Sequence, residues 1–158
     1  ISGLAIFPYY NWHHAIIVPK GHALEKAKNI ELKDIAEYPI ITYHDGFTGR
    51  KRIDEGFSKE GLTPDIVISA LDADVIKTYV ELELGVGIIA SMAYQKDRDL
   101  KLSLLENPNW FGANTTHIAI KQGHYLRGYA YQFLTLLSSE LTEANIKSAV
   151  NPSIESEI

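Results

Sequence analysis

The chain has 158 residues and no cysteine. That removes disulfide bonds, thiolate zinc sites and cysteine nucleophiles together. Its one methionine is Met92, and it opens on Ile1, which reads as a fragment, a processed chain or part of a longer one. No run approaches the roughly 18 apolar residues of a membrane-spanning helix. The opening "ISGLAIFPYYNW" lacks the basic start and small-residue cleavage site of a signal peptide. Basic residues are in deficit: 15 Lys and Arg against 20 Asp and Glu give a formal charge of −5. A domain that grips DNA phosphates is usually basic, so this chain is not itself expected to read DNA.

Catalytic signatures are missing too. There is no G-x-S-x-G elbow, P-loop or H-E-x-x-H pattern. "GVGIIAS" follows a helix rather than a strand and lacks the third glycine, which excludes the dinucleotide fingerprint. No nucleophile, base and orienting group are set together. Neither an enzyme nor a cofactor or metal site is expected.

What is present is a core-forming alternation. Hydrophobic residues make up 46% of the chain, enough for a packed interior. "LAIF", "HAIIVP", "YPIITY", "DIVISAL", "VGIIAS", "LKLSLLE" and "THIAIK" read as strands. "ELKDIAEY", residues 49–60, "ADVIKTYVELEL" and "LRGYAYQFLTLLSSEL" read as helices. The last is the longest, with Leu126, Tyr129, Phe133, Leu136 and Leu137 on one face. Gly61 and Gly85 are the expected stops of the second and third helices. The segment after about Thr142 shows no strong periodic face, and its last residues are expected to be loose. Strands alternating with helices argue an α/β fold with a largely parallel sheet.

One stretch stands out. In "TYHDGFTGRKRIDEGFSKEG" a buried strand stops, glycines flank Phe47 and Thr48, and a helix begins at once. Ile53 and Phe57 form its apolar face. Thr48 lies at the helix mouth, where its hydroxyl can cap the helix. The same place suits an anion, because the first N–H groups and the helix dipole point there. Gly46 and Gly49 let the backbone turn and approach a ligand closely. Both readings stay open on this stretch alone. "LDAD" makes a second strand-to-helix turn; Asp72 fits its N-cap and Asp74 its first turn. In open α/β sheets ligands collect at such turns, outside the carboxyl ends of strands.

Two readings attach to the other candidates as well. Arg50, Lys51 and Arg52 are either a solvated first turn or local positive potential beside Thr48. Trp12 is either core or the wall of a pocket. The six histidines show no ligand spacing and read as solvated or hydrogen-bonded; His13 and His14 face opposite ways on one strand.

"YNWHHAIIVPKGHAL", "YPIITYHDGFTGR", "GLTPDIVISALDADVIKTYVELELGVGIIASMA" and "TTHIAIK" together resemble the effector-binding domain of LysR-type transcriptional regulators, in their CysB/Cbl-like branch. The resemblance covers the chain to about residue 140. Glu83 departs from it, standing where the branch has a glycine, and "QKDRDLKLSLLENPNWFGAN" fits loosely. It implies a periplasmic-binding-protein-like fold of two α/β lobes joined by crossing strands, one lobe complete and the other partial. Residues 1–9 would end the first lobe, 10–115 form the second, and 116–158 return to the first with a C-terminal tail.

The same resemblance implies a small anionic effector, of O-acetylserine or N-acetylserine type or sulfate-like, in a pocket between the lobes. Thr48, Phe47, Gly46, Gly49, Trp12 and Asp72 are the candidate contacts. It implies a cytoplasmic regulator of sulfur assimilation and cysteine biosynthesis. That regulator would be a homodimer or homotetramer and would touch DNA only through an N-terminal helix-turn-helix that this chain lacks. A free-standing solute-binding protein for a small anion is the alternative.

Overall fold

The computed structural model describes residues 2–151, with Thr48 described by its backbone alone. Along the chain run β1 (Leu4–Pro19), α1 (Ala23–Lys26), α2 (Leu32–Ile35), β2 (Ile40–Tyr43), α3 (Thr48–Lys59), β3 (Ile66–Ala70), α4 (Ala73–Glu81), β4 (Val86–Ala90), a 3-10 turn (Ser91–Ala93), β5 (Leu102–Leu105), β6 (Ala113–Lys121), α5 (Gly128–Leu137) and α6 (Glu143–Val150). They divide into two compact units: Trp12–Asn114, and Ile1–Asn11 with Thr115–Ile158.

The Trp12–Asn114 unit is a sheet in the order β3-β2-β4-β1-β5. β2 lies parallel to β3 and to β4, while β1 runs antiparallel to both β4 and β5. The sheet is therefore mixed rather than largely parallel. Strand direction depends on how the chain returns to the sheet, and that is not written in a strand's own residues.

Both faces of this sheet are covered, which is why its strands are continuous apolar runs. Ile16, Val18, Ile40 and Ile88 turn to one face and pack with Ile53 and Phe57 of α3. Ile17, Ile41 and Ile89 turn to the other and pack with Ile76 and Val80 of α4. Each such side chain contributes about 1.5–3 kcal/mol by leaving water.

The two helices end in the same hydrogen-bonded motif with different residues at its left-handed position. After α3, Gly61 N–H donates to Ser58 O at 3.0 Å and Leu62 N–H to Phe57 O at 3.0 Å, with Gly61 at φ 70°. After α4, Glu83 N–H donates to Val80 O at 2.9 Å and Leu84 N–H to Tyr79 O at 3.2 Å, with Glu83 at φ 60°. This is the pattern that closes the last carbonyls of a helix. Glu83, not Gly85, therefore stops α4. Gly85 is fixed by packing instead: a Cβ there would lie 2.4 Å from Pro39 O.

In the other unit β6 pairs with β1. Gln122 N–H donates to Gly3 O at 2.9 Å, and the Thr115 hydroxyl donates to Asn11 Oδ1 at 2.7 Å. The core here is Ala5, Tyr131, Leu134, Leu141, Ile146 and Val150.

Four further expectations change. "LAIF" and "HAIIVP" are one strand of 16 residues, because the chain stays extended through Tyr9, Tyr10 and Asn11. α3, with 12 residues, is longer than α5, with 10. α5 buries Tyr131 and Leu134, leaving Tyr129, Phe133 and Leu136 exposed. Finally, 143–150 form a helix that buries Ile146 and Val150, with Thr142 as its cap. The expectation for the last residues of the tail falls on 152–158, outside the described residues.

Candidate functional site

β2 and β3 end side by side, Tyr43 opposite Ala70 in parallel register. Each then turns straight into a helix, α3 or α4, so both helix N-termini open at the same edge of the sheet. The sequence predicts this placement for "GFTG" and "DAD", and the strand register bears it out.

The two N-termini differ chemically. At α4 the Asp72 carboxylate accepts Val75 N–H at 2.9 Å, which closes that end in the manner of an N-cap. Asp74 in the same turn lies 2.9 Å from Lys77, and that pairing is the main reason its carboxyl sits below the usual carboxylate range. Among the described residues no group of three or more His, Asp or Glu could hold a metal. Asp72 is therefore a cap, and it does not line the cavity described below.

At α3 the N-cap is Phe47, which has no side-chain acceptor, and the first turn carries no acid. Thr48 is the first helical residue rather than the cap; its side chain lies outside the described residues. The turn before it is closed internally: Phe47 N–H donates to His44 O at 3.0 Å, and Gly46 N–H to His44 Nδ1 at 3.2 Å. Gly46 thus shapes the turn, with its N–H occupied. The helix end itself keeps the positive potential of its first turn, with no carboxylate among the described residues capping it.

Arg50 locks this end in place. Its mostly buried guanidinium lies 2.7 Å from Asp45 and 2.8 Å from Asp54, and donates to Tyr43 O at 2.9 Å. It is neither a solvated charge nor a free one; it staples the turn at 44–47 to the end of β2. Lys51 is exposed, 3.8 Å from Glu55.

Beside the α3 N-terminus lies a small cavity of about 150 Å³ lined by Trp12, His14, Tyr43, Phe47, Gly49 and Ala90. Four of these are rings. The Trp12 and His14 centroids are 5.0 Å apart edge to face, and those of Tyr43 and Phe47 are 6.3 Å apart. Gly49 is needed for closeness: a Cβ there would come 2.9 Å from His14 Nε2. The Tyr43 hydroxyl accepts Ala90 N–H at 3.1 Å, which leaves its proton as a donor. Burial is the main cause that pushes the Tyr43 phenol up.

His14 is the residue that sequence reasoning missed. It is 1% exposed, and among the described residues neither ring nitrogen has a hydrogen-bond partner. It is not the solvated or hydrogen-bonded histidine expected. Burial, then the Arg52 guanidinium and His13, lower its pKa from 6.5 to about 4, so the ring is neutral near pH 7. His13 points to the other face, 3.2 Å from Glu106. The signal that could have found His14 is its spacing: on a strand, residue i+2 shares the face of residue i, here Trp12.

A larger groove of about 380 Å³ lies at the opposite end of the sheet, lined by residues including Lys20, His22, Tyr38 and Glu83. It stands at the amino ends of β2 and β4, away from the N-termini of α3 and α4.

Comparison with known proteins shows the family and the fold. The model of the LysR substrate binding domain matches residues 1–142. The chain is 50% identical over 153 residues to the HTH-type transcriptional regulator CysB of Burkholderia cenocepacia, covering 97% of this chain and 49% of that protein. It is 46% identical over 151 residues to the HTH-type transcriptional regulator SsuR of the same organism, covering 96% and 49%. The chain thus spans about half the length of these relatives. The crystal structure of the cofactor-binding domain of the Cbl transcriptional regulator superposes with a TM-score of 0.87 at 41% identity, covering 97% of this chain and 67% of that one. These relatives are transcriptional regulators, not enzymes, and their effector-binding domains have the α/β, periplasmic-binding-protein-like fold that the sequence predicts. The chain belongs to the LysR substrate-binding domain family.

Proposed function

We propose that this chain is the effector-sensing part of a cytoplasmic LysR-type regulator of sulfur assimilation and cysteine biosynthesis, and that it holds a small anion at the N-terminus of α3. The observation that carries the reading is the contrast between two adjacent helix ends. α4 is closed by its own carboxylate, Asp72. α3 carries the uncapping Phe47 and no acid, beside a ring-lined cavity. A helix end of the second kind favours an external acid group.

Phe47, Gly49 and Trp12 are the contacts we assign from the cavity, and Thr48 from the family resemblance. Gly46 shapes the turn, and Asp72 contributes by closing the neighbouring helix end, which leaves α3 as the open one. An effector of acetylserine or sulfate type fits this chemistry. We assign 10–115 to the second lobe of the domain, and 1–9 with 116–158 to the first. Contact with DNA falls to another part of the regulator, which we expect to be a homodimer or homotetramer.

The test is Phe47→Asp in the full regulator. An aspartate N-cap in place of an uncapping residue is expected to stabilise the helix by about 1 kcal/mol. The same carboxylate would occupy the end of α3 and repel an anion. Calorimetry with N-acetyl-L-serine, O-acetyl-L-serine and sulfate is expected to show binding lost while the melting temperature rises. Binding at parent affinity in a stabilised variant would move the anion site elsewhere.

A further inference from the structure

The groove at the amino ends of β2 and β4 has no part in the site beside α3. It measures about 380 Å³ and is lined by three stretches of chain, which bring Lys20, His22, Tyr38, Glu83, Leu84 and Gly85 together. That volume lies in the range of small-molecule pockets. Gly85 lets two of the stretches meet closely, since a Cβ there would lie 2.4 Å from Pro39 O. Val86 N–H donates to the same carbonyl at 2.9 Å.

The lining carries both signs of charge. Lys20 supplies an ammonium, with His22 close by in the chain. The His22 Nδ1 accepts Leu24 N–H at 3.2 Å, so the ring bears its proton on Nε2, which is left to donate. Tyr38 holds that ring edge to face, with centroids 4.8 Å apart. Glu83 supplies a carboxylate at the C-terminal end of α4, where the helix dipole is negative. Among the described residues neither Lys20 nor Glu83 joins an ion pair. Glu83 also stands at φ 60°, a conformation that glycine adopts without strain. A strained residue of another type is a pointer to function. Here the strain places a carboxylate where glycine would leave the groove without one.

We propose that this groove is a second ligand site, and that its ligand is a free α-amino acid with an apolar side chain. Lys20 and the His22 Nε2–H take the carboxylate. Glu83 takes the ammonium. The side chain lies on the Tyr38 ring and on Leu84, which is half exposed in the groove. A simple anion meets the Glu83 charge, and a simple amine meets the Lys20 charge. A molecule carrying both groups satisfies the whole lining. The site is independent of the proposed anion site at α3, which lies at the other end of the same strands.

The experiment is calorimetry on the full regulator with L-leucine and two truncated analogues. One is 4-methylpentanoate, which lacks the ammonium; the other is 3-methylbutylamine, which lacks the carboxylate. Four variants accompany the parent: Glu83→Gly, Glu83→Gln, Lys20→Gln and Phe47→Asp. L-Leucine is expected to bind the parent at least about tenfold more tightly than either analogue, the effect of one charge-assisted hydrogen bond. Both Glu83 variants and Lys20→Gln are expected to weaken L-leucine by about tenfold or more. Phe47→Asp is expected to leave it unchanged. Carbon-13 shifts of the Tyr38 ring should move when L-leucine is added. No binding of L-leucine to the parent, or binding no tighter than that of an analogue, would overturn the ligand class. Parent affinity in the Glu83 variants or in Lys20→Gln would overturn the assigned contacts. Loss of L-leucine in Phe47→Asp would seat it at α3 and overturn the second site. Should Glu83→Gln fail to fold, Glu83→Gly decides, because glycine suits that turn.

Discussion

Replacing His14 with phenylalanine is expected to make the chain more stable and to flatten its response to acid. The side chain is 1% exposed, with both nitrogens unpartnered among the described residues. Leaving a buried polar group unsatisfied costs about 1–3 kcal/mol. A phenyl ring removes that cost and keeps the edge-to-face packing with Trp12 and Phe111. After allowing for its slightly greater volume, the net gain at pH 7.5 is about 1–2 kcal/mol.

The pH dependence has a definite sign. His14 titrates at about 4 in the folded chain against an ordinary value of 6.5. Between those values the unfolded chain binds more protons than the folded one. The stability involved is therefore complete above pH 6.5 and is lost as pH falls toward 4. With these pKa values the parent loses about 2 kcal/mol through His14 between pH 7.5 and pH 5; the variant loses none of it. Urea unfolding at both pH values, read as the difference between parent and variant, cancels the other histidines. The gap should widen from about 1–2 to about 3–4 kcal/mol. A variant less stable than its parent at pH 7.5, or a gap independent of pH, would mean that the buried imidazole carries no such cost.

Three other substitutions probe the same frame. Glu83→Gly relieves a left-handed residue that costs roughly 1–2 kcal/mol; after the entropy of glycine, urea midpoints should rise by the equivalent of about 0.5–1 kcal/mol. A fall would mean that the Glu83 side chain makes an interaction worth more than its strain. Arg50→Ala removes the pairings with Asp45, Asp54 and Tyr43 O. Since both acids are substantially exposed, it should cost only about 1–2 kcal/mol, while hydrogen exchange at 44–47 speeds up; unchanged exchange would deny it the stapling role. Thr48→Ala in the full regulator should weaken anion binding about tenfold with at most ~1 kcal/mol of stability lost; unchanged affinity with a large fall in melting temperature would return Thr48 to a structural role.

Much of the site's frame was legible because it is local. Ile53 and Phe57 four apart, Gly61 at a left-handed stop, and Asp72 ahead of Val75 are signals carried within one turn of helix. The α5 face was not legible, because Gly128–Leu137 is apolar nearly all round. Periodicity cannot choose a side there; the neighbours Ala5, Ile146 and Val150 choose it. The single strand β1 was hidden by Tyr9, Tyr10 and Asn11, exposed residues that give no alternation. His14 was hidden for another reason. Its burial comes from Phe111 and Gly49, both remote in sequence.

The covering of both sheet faces has a consequence for how the strands find their alignment. In a half-polar sheet, a slip of one residue throws the apolar set into water, and that penalty sets the register. Here adjacent residues such as Ile16 and Ile17, Ile40 and Ile41, or Ile88 and Ile89 are all fully buried. A slip merely exchanges one isoleucine for another, so greasiness alone barely discriminates between alignments. Discrimination falls to the few positions that differ from their neighbours. A Cβ on Gly87 would stand 2.6 Å from Ile17 Cγ1 and 2.8 Å from Val80 Cγ2, so only the smallest residue fits under α4. On the interior strand β2, the buried Thr42 hydroxyl donates to Ile88 O at 3.1 Å, a bond that a shifted strand would forfeit in a dry interior. One missing side chain and one hydroxyl thus act as the alignment marks of an otherwise interchangeable set of strands.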